Sequence, residues 1–239
     1  MSGDLTSSQQ TAAIEQTPVT QELTVSQPVQ ANRLDTGQPL TTVVFDLGGV
    51  LIEWDPRRLY RTLFDDEAEM DHFLATVCTQ EWNTEQDRGR PIAEATALLV
   101  EQHPEHTALI EAYYGRWEEM LGDLIWGTVE IANQLHSDGV RLLALTNWSH
   151  EEFPAARPRM TFLDHFDGVL VSGEVKLIKP DPAIFELLIE RHQIDPASAI
   201  YIDDSPANVD AAARLGFDAI HFRSSDQLRA ELASRGFFD

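Results

Sequence analysis

Asp46 closes the apolar run Thr42-Val43-Val44-Phe45 and is followed by Leu47-Gly48-Gly49. A carboxylate at a strand's end, beside a turn that two glycines let approach a ligand closely, has the setting of a nucleophile or a metal ligand. The same Asp would equally suit a turn bond to the backbone. Three later segments add complementary chemistry. Thr146-Asn147 ends a second apolar run and offers a hydroxyl, an amide and backbone N–H groups to an oxyanion, or a cap to the next helix. Lys179 precedes Pro180-Asp181-Pro182, a rigid turn that could pin an ammonium beside the nucleophile; Lys176 competes with it, and a solvated surface lysine is the plainer alternative. Asp203-Asp204 closes a third apolar run. Adjacent carboxylates repel, and a divalent cation such as Mg²⁺, which prefers oxygen ligands, would relieve them. Asn208 and Asp210 follow as orienting partners or as ordinary helix-start residues.

These groups need a frame that gathers strand ends. From Thr41 onward the pattern is globular, and after Trp54-Asp55-Pro56 it turns helical: Arg57 to Phe64, Glu67 to Val77, Pro91 to about Gln102 and Pro104 to about Leu121 fit amphipathic helices. No strand signal interrupts that stretch, which predicts a helical insertion. Alternation then resumes with helices over about 128–136, 182–192, 206–215 and 226–233, a helix-like segment near Glu151, and strands over 141–146, 168–171, 199–203 and 218–221. Strands alternating with helices imply a parallel sheet covered on both faces, which binds ligands at its carboxyl edge. Phe217 to Phe222 reads as an edge strand. Residues 1 to about 40, rich in Ser, Thr and Gln, read as a flexible tail.

The chain has 239 residues, enough for a full core, and a formal net charge of -23, which argues against non-specific attraction to nucleic acid or anionic membrane. A few local cations can still receive an anionic substrate. The single cysteine, Cys78, has no partner in the chain. It reads as an apolar filler in a reducing setting, and with no apolar run near 18 residues and no basic-then-apolar start, a cytoplasmic location is expected. His103 and His106 are split by Pro104, which spoils a common ligand face.

The four segments Asp46-Leu47-Gly48-Gly49-Val50, Thr146-Asn147, Lys179-Pro180-Asp181-Pro182 and Asp203-Asp204-Ser205-Pro206-Ala207-Asn208, in this order with a helical insertion after the first, resemble the haloacid dehalogenase-like hydrolase superfamily over roughly residues 42–235. The resemblance implies an α/β fold: a Rossmann-like three-layer core with a parallel sheet, spanning 41–57 and 125–239, plus an inserted mobile α-helical cap over 58–124. It also implies a Mg²⁺-dependent phosphatase of small phosphorylated metabolites. Asp46 would form an aspartyl-phosphate, Thr146, Asn147 and Lys179 would serve the phosphoryl group, and the metal would take Asp46, the carbonyl of Gly48 and Asp203 or Asp204.

The chain departs from the phosphatase pattern at Gly48, where typical members carry a second Asp as general acid and base. Such help is commonly worth about 10²–10⁴-fold in rate. Water, a cap residue, or a substrate with an easier leaving group could replace it, and the last favours an anomeric sugar phosphate. Displacement of halide from a 2-haloacid by Asp46 is the second reading. It needs no acid, yet true dehalogenases typically have an aromatic residue at the place of Gly48 and lack the acidic pair. A binding or regulatory protein on this fold is a third. Specificity should lie in the insertion. Glu81 to Arg90 reads as an inter-helix loop whose Trp82 and Arg88 could reach a polar, sugar-like substrate, or as a solvated loop with Trp82 packed down. Trp54, Arg57 and Arg58 stand at the hinge into the insertion, and Trp148 and His150 follow Thr146-Asn147 closely enough to line the same cleft.

Overall fold

The run that ends at Asp46 is buried along its whole length as strand β1 (Thr42–Phe45). In the computed structural model, which describes residues 40–238, β1 is the centre of a five-stranded parallel sheet with β4 (Arg141–Thr146), β5 (Gly168–Val171), β6 (Ala199–Asp203) and β7 (Asp218–His221), in the order β5-β4-β1-β6-β7. Alternate residues feed opposite faces, as the two-residue period of a strand requires. Val43, Phe45, Leu142, Ala144, Ile200 and Ile202 pack with helices α6 (Trp126–Ser137) and α11 (Ser225–Ser234). Val44, Leu143, Leu145 and Tyr201 pack with α9 (Pro182–His192) and α10 (Pro206–Arg214). Three layers result, with the sheet buried on both sides. Short helices α7 (Phe153–Ala156) and α8 (Ser172–Val175) follow β4 and β5.

Leu40, assigned from sequence to the tail, is only 5% exposed and joins the core; the rest of that proposed tail lies outside the described residues.

Five helices follow β1: α1 (Arg57–Tyr60), α2 (Glu67–Thr76), α3 (Gln80–Asp87), α4 (Ile92–Gln102) and α5 (Thr107–Gly115). They build a separate apolar cluster from Leu59, Tyr60, Met70, Phe73, Leu99, Ile110 and Tyr113. The insertion is framed by a two-stranded antiparallel ribbon, β2 (Ile52–Trp54) with β3 (Leu121–Leu124), where sequence predicted no strand. Both strands are too short to show a period, and the expected helix from Pro104 to Leu121 stops at Gly115. Gly122 suits the ribbon because a Cβ there would lie 2.5 Å from that of Glu53.

The largest departure is α3. Glu81 to Arg90 is mostly a helix, not a loop. Thr79 caps it, its hydroxyl oxygen accepting from the Trp82 N–H at 3.1 Å. An apolar stripe was absent because the buried side of α3 is polar. Gln86 donates to the Tyr114 hydroxyl at 2.9 Å, Tyr114 donates to Asn83 Oδ1 at 2.9 Å, and Asn83 donates to Asp87 Oδ2 at 3.1 Å. A polar face satisfied this way can be buried without penalty, but it leaves no hydrophobic period to read.

Candidate active site

The carboxyl edge of the sheet gathers Asp46 after β1, Thr146-Asn147 at the end of β4 and Asp203-Asp204 at the end of β6. Lys179 enters from the loop before α9, and its ammonium is the hub: it lies 2.9 Å from Asp46 Oδ2 and 2.8 Å from Asp203 Oδ2, and it donates to the Leu145 carbonyl at 2.9 Å. Its side chain is 1% exposed. Burial alone would discharge such a lysine. The carboxylates of Asp46 and Asp203 outweigh burial and hold its pKa above the ordinary value. Lys176, the competitor, has left-handed backbone (φ 59) as the residue closing α8.

Asn147 takes a part that its sequence position left open. Its side chain donates to the Lys179 carbonyl at 3.1 Å and accepts from the Lys179 N–H at 3.0 Å. The amide therefore clamps the lysine's backbone instead of presenting itself to an oxyanion. Thr146, Asn147 and Trp148 all line the cleft.

The acidic pair divides its work. Asp203 is fully buried, and its oxygens accept from Lys179, from the Tyr201 hydroxyl at 2.5 Å, from the Ser205 N–H at 2.9 Å and from Asn208 at 2.9 and 3.1 Å. Burial opposes its charge, yet Lys179 together with the Tyr201 and Ser205 bonds holds its pKa below the ordinary value. Asp204 is exposed and faces the cleft. Burial around the carboxyl, then the charge of Asp203, raise its pKa. Gly49 is shaped by that carboxylate: it has φ +72, and a Cβ would sit 2.4 Å from Asp204 Oδ2. Asp210, on the same helix as Asn208, is exposed.

Asp46, Asp203 and Asp204 each place a carboxylate oxygen within 4.8 Å of the others. Burial, and after it the charges of Asp203 and Asp204, push Asp46 up to about 8 against the pull of Lys179. One ammonium is too little positive charge for three carboxylates. An all-oxygen donor set short of positive charge fits a small hard dication such as Mg²⁺; Asp203 already takes several donors, while Asp46 takes one on each oxygen, from the Leu47 N–H at 2.7 Å and from Lys179.

The cleft above these groups has a volume of about 270 Å³, a metabolite's scale. Its wall carries Gly48 and Trp54 from the first turn and ribbon, Gln80, Asn83, Thr84 and Asp87 from α3, and Trp148 and Glu152 from the segment after β4. Sequence offered Trp82 and Arg88 either over a substrate or on a loop with Trp82 packed down, and the structure has Trp82 packed down and neither residue in the cleft wall. Trp82 packs its ring against Tyr113 and Tyr114, at 5.1 and 5.2 Å, inside the insertion. Arg88 points outward, 3.6 Å from Glu85. Once the segment is helical, its periodicity turns the Gln80, Asn83, Thr84 and Asp87 side toward the cleft and the Trp82 side away. Arg57 and Arg58 pair with Asp71 and Glu53 outside the cleft wall, and His150 is exposed outside it too. Cys78 is buried near the Tyr60 hydroxyl, and burial pushes its thiol up to about 12, which makes it inert.

Asp87 and Glu152 were missed as site residues, since neither belongs to a strand-end motif. Burial pushes Asp87 up to about 7, against a bond from the Ser149 backbone and the charge of Lys179. Burial, then Asp87 and Glu151, push Glu152 up to about 8.

Proteins similar to this chain in sequence and fold include phosphatases and a dehalogenase. The sequence is 26% identical over 183 residues to the sesquiterpene phosphatase astK of Aspergillus oryzae, covering 76% of this chain and 89% of that one. It is 26% identical over 189 residues to a phosphorylated carbohydrates phosphatase of Thermotoga maritima, covering 76% and 84%. In fold it matches a haloacid dehalogenase family enzyme of Bacteroides thetaiotaomicron, crystallised with magnesium and inorganic phosphate, with TM-score 0.62 and 23% identity over 77% of this chain and 95% of that one. The L-2-haloacid dehalogenase of Xanthobacter autotrophicus shares the fold with TM-score 0.53 and 18% identity, over 82% and 83%. The sequence profile of haloacid dehalogenase-like hydrolases matches residues 40–216, and the chain belongs to that family.

Proposed function

We propose that this hydrolase is a Mg²⁺-dependent phosphatase of small phosphorylated metabolites, with Asp46 as the nucleophile. The observation that carries this reading is the Lys179 ammonium held 2.9 Å from Asp46 and 2.8 Å from Asp203, beside an acidic cluster that is short of positive charge. Asp46, the Gly48 carbonyl and Asp204 would hold a dication, which would supply positive charge to offset that of the nucleophile and the phosphoryl oxygens. A carboxylate oxygen of Asp46 attacks phosphorus, the bond to the leaving oxygen breaks, and an aspartyl-phosphate forms. Lys179 and the Thr146 hydroxyl hold phosphoryl oxygens, while Asn147 fixes the lysine backbone. Water then displaces Asp46 from phosphorus, releasing inorganic phosphate. The insertion acts as a cap, and its Gln80, Asn83 and Thr84, with Trp54 and Trp148 of the wall, suit a hydroxyl-bearing substrate such as a sugar or polyol phosphate.

Halide displacement by Asp46 is the second reading, favoured only by Gly48, which puts no acid next to the nucleophile. It leaves Asp204 and the charge deficit without a purpose.

The test is phosphate release from a panel of phosphorylated metabolites, with Mg²⁺ or with chelator, for wild type and Asp46→Asn. Release that needs the metal and vanishes in Asp46→Asn is expected. No release from any substrate, with halide freed from 2-haloacids, would overturn the proposal.

A further inference from the structure

An alkoxide leaving group needs a proton, and the floor of the cleft has none to give. Gly48 has no side chain. Lys179 is engaged by Asp46, Asp203 and Leu145, Tyr201 is bonded to Asp203, and Asp204 faces the acidic cluster. The opposite wall differs. We propose that Asp87, on helix α3 of the insertion, is the general acid and base of this active site, with Glu152 beside it; this rests on the phosphatase reading above.

Four observations carry the assignment. Asp87 and Glu152 both line the cleft that holds Asp46 and Lys179. Asp87 is anchored by Asn83 at 3.1 Å and by the Ser149 backbone, and its helix end is fixed because Ser172 Oγ donates to the Asp87 carbonyl at 2.5 Å. Glu152 Oε1 is buried and has no hydrogen-bond partner among the described residues, which leaves it an open acceptor on the cleft wall. The charged and titratable groups around the pair are Lys179, Glu151, Tyr113 and Tyr114. Burial raises both phenols far above neutrality. The charge of Lys179 acts on Asp87, whereas the charges acting on Glu152 are Asp87 and Glu151, so Asp87 is the member of the pair that feels the lysine of the reacting centre. Burial leaves Asp87 titrating at about 7, where one group can donate and accept a proton in the same turnover.

The steps balance. As the bond between phosphorus and the leaving oxygen breaks, that oxygen takes the proton of the Asp87 carboxyl and departs as an alcohol, leaving a carboxylate. Asp87 then removes a proton from the water that attacks phosphorus, Asp46 departs as carboxylate, and Asp87 is again protonated. An acid in this place removes the need for an anomeric leaving group, so ordinary sugar and polyol phosphates become substrates.

Asp87→Asn keeps the acceptor for the Ser149 N–H and loses the proton. The readout is kcat/KM, which reports phosphoryl transfer to Asp46, for an alkyl phosphate and for 4-nitrophenyl phosphate, whose leaving group departs without protonation. We expect a loss of about 10²–10³-fold with the alkyl phosphate, a loss at least about tenfold smaller with the aryl one, and disappearance of the fall in alkyl kcat/KM above about pH 7. Adding Gly48→Asp, where a Cβ meets nothing within 4 Å, should recover at least about tenfold of the alkyl activity. Equal losses on both substrates, or an alkyl loss under about threefold, would overturn the assignment. Wild-type inactivity on every phosphate would instead sink the phosphatase reading itself.

Discussion

The floor and the outer wall of the cleft are both acidic and both buried, yet they are built on opposite plans. On the floor the central ion pair is fully bonded: Asp203 takes donors from Lys179, Tyr201, Ser205 and Asn208, and Asn147 fixes the lysine. On the wall, among the described residues, Asp87 and Glu152 form no ion pair with a cation, and Glu152 Oε1 has no partner. The difference teaches how one fold sets carboxyl groups to two tasks. Pairing with an ammonium holds Asp203 below its ordinary pKa, and burial without one pushes Asp87 and Glu152 up to about 7 and about 8. A preorganised floor stabilises charge, and an unsatisfied wall carries protons.

Breaking the floor should have the largest effect. Asp46→Asn removes the nucleophile and should lower phosphate release by about 10⁴-fold or more, measured as single-turnover rates. Lys179→Met should lower kcat by about 10³-fold. It also leaves Asp46 and Asp203 buried without a cation, so urea unfolding should show a loss of about 3–5 kcal/mol. A smaller effect separates metal from protein: Mg²⁺ should raise the Tm by a few degrees, more at pH 8 than at pH 5.5, because protons compete for the carboxylates. That shift should disappear in Asp204→Asn, and an equal shift in the variant would exclude Asp204 as a ligand.

The wall gives the smallest effect and sharpens the contrast. Glu152 is raised from 4.5 to about 8, so the folded state keeps a proton that the unfolded chain gives up. The resulting penalty is absent below about 4.5, grows through the interval and is full above about 8. Glu152→Gln should match wild type in Tm near pH 4 and exceed it by a few degrees near pH 8. A variant less stable than wild type at pH 8 would show that the carboxylate has a partner in solution.

The floor was legible in the sequence and the wall was not. Asp46, Thr146 and Asp203 each end a strand that announces itself by an apolar run, and the sheet at 141–146, 168–171, 199–203 and 218–221 stands where those runs lie. Lys179 could be placed because its prolines punctuate the chain. Asp87 had no such marker. It stands on a helix whose buried face is made of Asn83 and Gln86, and it reaches the cleft only through tertiary packing. Thr79 followed by a polar run was the one local signal for that helix. Trp82 misled for the same reason: its aromatic ring fills the insertion's own core. The ribbon of Ile52–Trp54 and Leu121–Leu124 pairs segments too short for either to declare a period.

Ser172 has one hydroxyl and two clients. It accepts from the Trp148 N–H at 2.9 Å and donates to the Asp87 carbonyl at 2.5 Å, so the floor's own loop holds the helix that carries the acid. In the proposed mechanism, that one hydroxyl ties the position of the proton donor to the seating of the insertion on the core.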